Sequence, residues 1–171
     1  MWKIYGRITV CLTDEQKRVA LSVLSSKFNK TAFVNIIEEP EQNLFPSSQW
    51  KILQSLLEFN NINSSNQLII TTHSPFIINY LSVAIQGGYL KNKIDLSPKA
   101  EKLIPKLNKI ISEKSLIFSE STAVYQFNET DGSIEKLSSY EGIPSDTNYL
   151  NDYLRECNQL FDSLLEIEEE L

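Results

Sequence analysis

Two strand-like segments of this sequence each end in side chains that could do acid–base or metal chemistry. The segment Phe33–Ile37 is followed by two carboxylates, Glu38 and Glu39, and the segment Leu68–Thr72 is followed by His73, the only histidine in the chain. The interval between them has room for one helix and a return strand, which predicts a βαβ unit. Because the carboxyl ends of parallel strands meet at one edge of a sheet, we expect Glu39 and His73 to lie close together.

The residues around these side chains resemble a known family. Residues 36–46, with the sequence Ile-Ile-Glu-Glu-Pro-Glu-Gln-Asn-Leu-Phe-Pro, resemble the Walker B segment and D-loop of ABC-type, AAA-like ATPases, in the RecF, SMC and OLD-like branch. Residues 71–75, Thr-Thr-His-Ser-Pro, resemble the switch, or H-loop, of the same branch. The resemblance covers roughly residues 12–80 and includes both motifs in the order that the family has them.

The resemblance implies an ATP site with Mg²⁺ and assigns a role to each residue. Glu38 would hold Mg²⁺ through water, Glu39 would polarise the attacking water, and His73 would reach the γ-phosphate of ATP. Both carboxylate roles need negative charge close to the metal and the phosphates. The D-loop, which meets a partner subunit, would consist of Gln42, Asn43 and Leu44.

A simpler interpretation assigns no chemistry to these residues. Glu38 and Glu39 could cap the helix predicted to begin near Ser47, with His73 as a polar residue at a strand end. The D-loop also departs from the pattern of the branch, because Phe45 stands where histidine is often found.

A third segment, Leu12–Leu21, lies where the ABC signature precedes Walker B. Its Thr13 could present a hydroxyl, beside the backbone N–H groups of a helix N-terminus, to ATP bound by a second subunit. The signature glycine is missing, and Asp14 and Glu15 place negative charge there. Thr13 and Gln16 also form an ordinary capping box, and both interpretations can hold together.

The sequence contains no phosphate-binding loop of the form Gly-x-x-x-x-Gly-Lys-Ser/Thr. Gly87 and Gly88 are the only adjacent glycines, and we interpret them as a loop. Without a phosphate-binding loop there is no lysine or amide cradle for the β- and γ-phosphates. The chain is therefore similar to the C-terminal half of an ATPase, which a Walker A-bearing segment or subunit would complete.

Composition is typical of one globular unit. The chain has 171 residues, 42% of them hydrophobic, enough for an ordinary core, and we interpret residues 1–171 as a single partial ATPase domain. No apolar run approaches the ~20 residues that span a bilayer, and the first residues lack a long apolar signal segment. These features favour a cytoplasmic protein without membrane contact. Cys11 and Cys157 are predicted to be free thiols.

The net charge of −6 argues against this chain being the main nucleic-acid surface of an assembly. On a helix, one stripe would contain Lys99, Lys102, Lys106 and Lys109. The stripe could contact nucleic-acid phosphates in a full assembly, or it could be a solvated helix face.

The remaining pattern predicts an α/β fold. It consists of a mainly parallel sheet flanked by helices, which the resemblance identifies with the C-terminal half of a P-loop NTPase, then an antiparallel hairpin and a long helix. The predicted strands are Ile4–Leu12, Phe33–Ile37, Leu68–Thr72 and Ser115–Ser119, with a hairpin of Ala123–Phe127 and Ile134–Leu137. The predicted helices are Thr13–Phe28, Ser47–Phe59, Pro75–Ala84 and Thr147–Glu169, with a helical insertion at 86–114.

The leading hypothesis is ATP binding and hydrolysis by a homodimer, a heterodimer or a two-part complex. Hydrolysis would drive conformational change in a DNA-repair or phage-defence system. The alternative is a degenerate, non-hydrolysing dimerisation or scaffold module, which the missing Walker A favours and the intact Glu38, Glu39 and His73 oppose. A metal-dependent nuclease using these residues and Glu41 is disfavoured, because adjacent residues at a strand end point in opposite directions.

Overall fold

The computed structural model describes residues 32–171. The predicted strand Ile4–Leu12 and helix Thr13–Phe28 lie outside the described residues, as do Cys11 and Thr13. The described helices are α1 (Pro46–Asn60), α2 (Pro75–Asp95), α3 (Ala100–Asn108) and α4 (Tyr149–Glu169). The described strands are β1 (Val34–Glu38), β2 (Gln67–Thr71), β3 (Tyr125–Phe127), β4 (Ile134–Lys136), β5 (Ser139–Tyr140) and β6 (Ile143–Pro144).

Strands β1 and β2 are neighbours in a two-stranded parallel sheet, as predicted. Glu38 is the register partner of Thr71. One residue further, the N–H of Glu39 donates to the carbonyl oxygen of Thr71 at 2.8 Å. The ladder therefore extends to Glu39, at the carboxyl edge of both strands.

The two faces of this sheet have different surroundings. Leu68 and Ile70 pack against the helical core, whereas Ile36 and Ile69 on the other face are 65% and 48% exposed. Alternation of this kind follows from the two-residue period of a strand. Within the described residues, the parallel sheet thus has one face against the helical core and one face with exposed apolar side chains.

Helices α1 and α2 form the core against the inner face of the sheet. Leu53 and Leu57 of α1 lie in one cluster with Ile77, Ala84 and Ile85 of α2, and all five are buried. Burial of each Leu or Ile side chain stabilises the fold by about 1.5–3 kcal/mol. This packing fixes both helices, and with them the two loops at the carboxyl edge of the sheet.

A proline occupies the start of both core helices. Pro46 begins α1 and Pro75 begins α2, where the missing N–H has no cost, and neither helix has a side-chain cap. The N-cap of α1 is Phe45. The interpretation of Glu38 and Glu39 as caps of this helix is therefore wrong.

Helix α2 continues past its predicted end at Ala84 to Asp95. Gly87 and Gly88, which we interpreted as a loop, lie buried inside the helix. A Cβ atom on Gly88 would lie 2.2 Å from the carbonyl oxygen of Ile117, and one on Gly87 would lie 2.7 Å from a methyl group of Leu116. The glycines therefore allow a close backbone approach instead of ending the helix.

Residues 86–114 contain the end of α2 and all of α3, joined and followed by turns, and they do not form an exposed excursion. Ile94, Leu107 and Ile111 are buried and belong to the same cluster as the core of α1 and α2. The lysines of the predicted stripe are all exposed, which is compatible with a solvated face and with contact to phosphates: Lys99, Lys102, Lys106 and Lys109. That the segment is an insertion relative to the family stays a prediction.

The prediction of a strand at Ser115–Ser119 is wrong. The chain forms a short 3-10 turn at Glu113–Ser115 and then runs extended through Leu116 without joining a sheet. The side-chain amide of Asn61 donates to the carbonyl oxygens of Lys114 and Leu116, both at 2.8 Å. A side chain therefore satisfies the backbone groups that a neighbouring strand would otherwise bind.

The C-terminal hairpin is confirmed. Strands β3 and β4 are antiparallel, with Phe127 opposite Ile134, and β5 and β6 form a second short antiparallel pair that was not predicted.

Helix α4 begins two residues later than predicted and is capped by Asn148, whose side-chain oxygen accepts from the N–H of Asn151 at 3.1 Å. None of its residues is buried. Its exposed apolar stripe consists of Tyr153, Leu154, Leu160, Phe161, Leu164, Leu165 and Ile167. Cys157, on the same helix, is an exposed free thiol, as predicted. No helix within residues 32–171 is both long and apolar enough to cross a membrane.

Candidate functional site

The chain turns sharply where β1 ends. Glu39 and Asn43 have φ angles of 46° and 59°, in the left-handed region that residues other than glycine seldom adopt. The N–H of Gln42 donates to the carbonyl of Glu39 at 3.1 Å, and the N–H of Leu44 donates to that of Glu41 at 3.0 Å. Backbone conformations of this type cost on the order of 1–3 kcal/mol each and concentrate at functional sites.

The side chains of Glu39 and His73 meet at the carboxyl edge of the parallel sheet. Nε2 of His73 lies 3.5 Å from Oε1 of Glu39, and the side-chain amide of Gln42 donates to the other carboxylate oxygen. The predicted proximity of Glu39 and His73 is confirmed. The imidazole is 84% exposed and the carboxylate 34% exposed, so the pair is open to solvent.

This arrangement suits the activation of a water molecule. The donor on one oxygen of Glu39 orients the carboxylate, and the carboxylate can accept a proton from water within hydrogen-bonding reach. The neighbouring imidazole of His73 supplies a polar group that could contact an anion. Three of the predicted site residues, Glu39, Gln42 and His73, are therefore brought together.

Glu41 links the two loops that hold this pair. Its Oε1 accepts from the hydroxyl of Thr72 at 2.7 Å and from the backbone N–H of His73 at 2.8 Å. Its Oε2 is buried and has no hydrogen-bond partner within the described part of the chain. Sequence analysis assigned Glu41 no role at an ATP site. Its contacts form only when the segment that contains Thr72 and His73, distant in the chain, approaches it.

Two buried polar side chains form a second link between the loops. The hydroxyl of Ser74 donates to Oε1 of Gln49 at 2.6 Å, and Nε2 of Gln49 donates to the carbonyl oxygen of Leu44 at 3.1 Å. Ser74 and Gln49 are both 7% exposed. Sequence reasoning missed both, although a glutamine on the core side of α1, four residues before the buried Leu53, was a usable signal.

Glu38 lies at the end of β1, on the exposed face of the sheet that also carries Ile36. Among residues 32–171, no group of three or more His, Cys, Asp or Glu side chains could hold a metal ion. Mg²⁺ is commonly held by one or two carboxylates with waters and phosphates, so the role predicted for Glu38 needs no such group and stays a prediction.

Comparison with known families gives a match that covers the parallel sheet and the loops at its carboxyl edge. Residues 15–78 match the family model described as AAA ATPase domain, and the match includes both strands of the parallel sheet and both loops. It supports an AAA-like ATPase family, with ATP-related activity of the kind that typically uses Mg²⁺. The matched residues are fewer than half of the chain. Neither the curated proteins nor the solved structures gave a match.

Proposed function

We propose that this chain supplies the water-activating half of an ABC-type ATPase site, with Glu39 as general base and His73 as the group that meets the γ-phosphate. The observation that carries the proposal is the 3.5 Å contact between Glu39 and His73 at the carboxyl edge of two parallel strands. The family match to an AAA ATPase domain spans both residues. In this proposal residues 36–46 are the Walker B segment and D-loop, and residues 71–75 are the switch.

The residues at this edge have chemistry that fits a magnesium nucleotide. Mg²⁺ prefers oxygen ligands, and Glu38 offers a carboxylate at the strand end, where we propose that it holds the metal through water. When bound, Mg²⁺–ATP supplies the phosphoryl group and the charge that offsets the developing negative charge of the transition state. Gln42 keeps the Glu39 carboxylate oriented, Glu39 accepts the proton of the attacking water, and His73 contacts the phosphate oxygens.

The exposure of the pair supports the involvement of a second protein surface. The His73 imidazole is 84% exposed, whereas a hydrolytic site works best when bulk water is excluded. The sequence also lacks the Gly-x-x-x-x-Gly-Lys-Ser/Thr loop that would cradle the phosphates. A Walker A-bearing segment or subunit would supply both, in a homodimeric or heterodimeric assembly.

The turn at Gln42 and Asn43 is placed suitably for the contact with that partner. Both residues are exposed, and the side-chain amide of Gln42 donates to the Glu39 carboxylate. We further propose that the assembly is cytoplasmic and uses ATP to drive conformational change in a DNA-repair or phage-defence system. The support for this biological role is the resemblance of residues 36–46 and 71–75 to the RecF, SMC and OLD-like branch.

A second candidate function is a non-hydrolysing dimerisation or scaffold module. The exposed apolar stripe of α4 and the open face of the parallel sheet favour it, because both are surfaces that a partner could cover. In that case the Glu39–His73 contact would have no consequence for ATP turnover.

Reconstitution distinguishes these candidates. The full chain is assayed for hydrolysis of Mg²⁺–ATP alone and then with the polypeptide that carries the Gly-x-x-x-x-Gly-Lys-Ser/Thr loop. We expect negligible turnover by the chain alone and clear turnover by the complex. A complex that forms stoichiometrically and binds ATP without hydrolysing it would support the scaffold function instead.

A further inference from the structure

We infer that Glu41 is a positioning residue that holds His73 against the Glu39 carboxylate. The positioning itself rests on contacts between described residues. Its consequence for catalysis rests on the proposed function.

One carboxylate oxygen fixes the start of the His73 loop. Oε1 of Glu41 accepts from Thr72 Oγ1 at 2.7 Å and from the His73 N–H at 2.8 Å. Thr72 Oγ1 in turn accepts from the N–H of Ser74 at 3.0 Å. Three consecutive residues of the loop are therefore tied directly or through one hydroxyl to Glu41, and hydrogen bonds in such a chain strengthen one another.

The hydrogen bonds of Glu41 can affect the catalytic pair because Glu41 lies close to Glu39 in the chain. Glu41 follows Glu39 by two residues and lies within the same tight turn, whose backbone is closed by the Leu44 N–H to Glu41 carbonyl bond at 3.0 Å. The link therefore sets the spacing between the two loops next to the Glu39–His73 contact of 3.5 Å. The His73 side chain is 84% exposed, and the bond from its backbone N–H to Glu41 restrains the point from which the imidazole extends.

Two substitutions of Glu41 distinguish the effect of its hydrogen bonds from the effect of its charge. Glu41→Gln keeps an oxygen that can accept both bonds and removes the negative charge. Glu41→Ala removes both bonds. A residue that acts through positioning should tolerate the first change and not the second.

Because His73 is the only histidine, NMR of the full chain gives one imidazole signal to follow. We expect Glu41→Ala to shift this signal and to abolish the nuclear Overhauser contact between the His73 ring and the Glu39 side chain. Glu41→Gln should preserve both, and so should the remote, exposed control Glu120→Ala. An unchanged ring signal and contact in folded Glu41→Ala would overturn the inference.

A second pair of variants covers the possibility that Glu41→Ala does not fold. Thr72→Val removes the hydroxyl that links Glu41 to Ser74, and Thr72→Ser retains it. We expect Thr72→Val to weaken the His73–Glu39 contact and Thr72→Ser to keep it. Equal behaviour of the two variants would contradict the inference.

In the reconstituted ATPase complex, Glu41→Ala should lower kcat by about 10-fold or more, because misplacement of a catalytic group by about 1 Å can cost up to 10²-fold. The KM for ATP should change much less than kcat. Because the NMR experiment needs no ATP, the outcomes are separable. A lost ring contact in a complex without turnover would leave the positioning role standing and reject the proposed function.

Discussion

Nε2 of His73 lies 3.5 Å from Oε1 of Glu39, although the two residues come from different strands and different loops. The contact exists because β1 and β2 are parallel neighbours that end at the same edge and because the left-handed φ of Glu39 turns the chain at that point. The first cause is general to parallel sheets. The second is particular to this turn and is a direct target for mutation.

The imidazole of His73 should matter for turnover and hardly at all for stability. His73→Ala removes a side chain that is 84% exposed, so the free energy of unfolding should change by no more than about 0.5 kcal/mol. In the reconstituted complex, hydrolysis should fall by about 10-fold or more, since a contact to the developing phosphate charge is lost. Urea denaturation and steady-state ATPase assays measure the two effects. Wild-type turnover in a folded His73→Ala complex would contradict the assigned role.

Replacements of Asn43 should differ in their effect on stability, because the backbone of this residue is left-handed. With φ at 59°, Asn43→Gly should leave stability nearly unchanged. Asn43→Val should cost about 1–2 kcal/mol, because a β-branched side chain clashes with the backbone in this conformation. Urea denaturation of the two variants checks the difference, and equal stability would mean that the turn relaxes in solution.

Much of the βαβ unit was predictable from the sequence, and the network that holds its loops was not. Apolar runs that end abruptly in polar side chains identified both strands to within one residue. The bonds from Glu41 to Thr72 and His73 join residues far apart in the chain. No local pattern encodes such a pair, so only the folded structure reveals it.

Two errors in the second half of the fold, the loop at Gly87 and Gly88 and the strand at Ser115–Ser119, share one physical cause. Gly87 and Gly88 suggested a loop because glycine is a weak helix former, but tertiary packing overrode that preference. The segment around Leu116 and Ile117 suggested a strand, but its backbone lies against those same glycines and the side chain of Asn61. Both errors therefore arise from the same tertiary contact, between the glycines of α2 and the segment around Leu116 and Ile117.

Because of this contact, helix propensity predicts the wrong sign for the change in stability caused by Gly88→Ala. Propensity alone would have Gly88→Ala stabilise the helix by about 1 kcal/mol. Because the new Cβ would lie 2.2 Å from the carbonyl oxygen of Ile117, we expect a loss of about 3 kcal/mol. Gly87→Ala is the matched comparison and should cost less, since its obstacle is a Leu116 methyl group that can rotate. Thermal unfolding that ranks the two variants in the opposite order would contradict this account.

The buried pair of Gln49 and Ser74 should show energetic coupling. Gln49→Leu leaves the Ser74 hydroxyl without its acceptor, and Ser74→Ala leaves Gln49 Oε1 without its donor. Each change should cost about 1–3 kcal/mol. The double variant should cost less than the sum, with a coupling energy of about 0.5–3 kcal/mol. Strictly additive losses would mean that the 2.6 Å bond contributes nothing as a pair.

The most direct test of the proposed function is the steady-state rate of ATP hydrolysis by the reconstituted complex with Glu39→Gln in this chain. The substitution keeps the shape of the side chain and its contact with Gln42 and removes the base. A matched control is Glu101→Gln, the same change at an exposed position of α3. We expect Glu39→Gln to retain ATP binding and to lower hydrolysis by about 10²-fold or more, the scale of losing a positioned base, while Glu101→Gln turns over ATP at the wild-type rate. Wild-type hydrolysis by the Glu39→Gln complex would contradict the central claim that this carboxylate activates the attacking water.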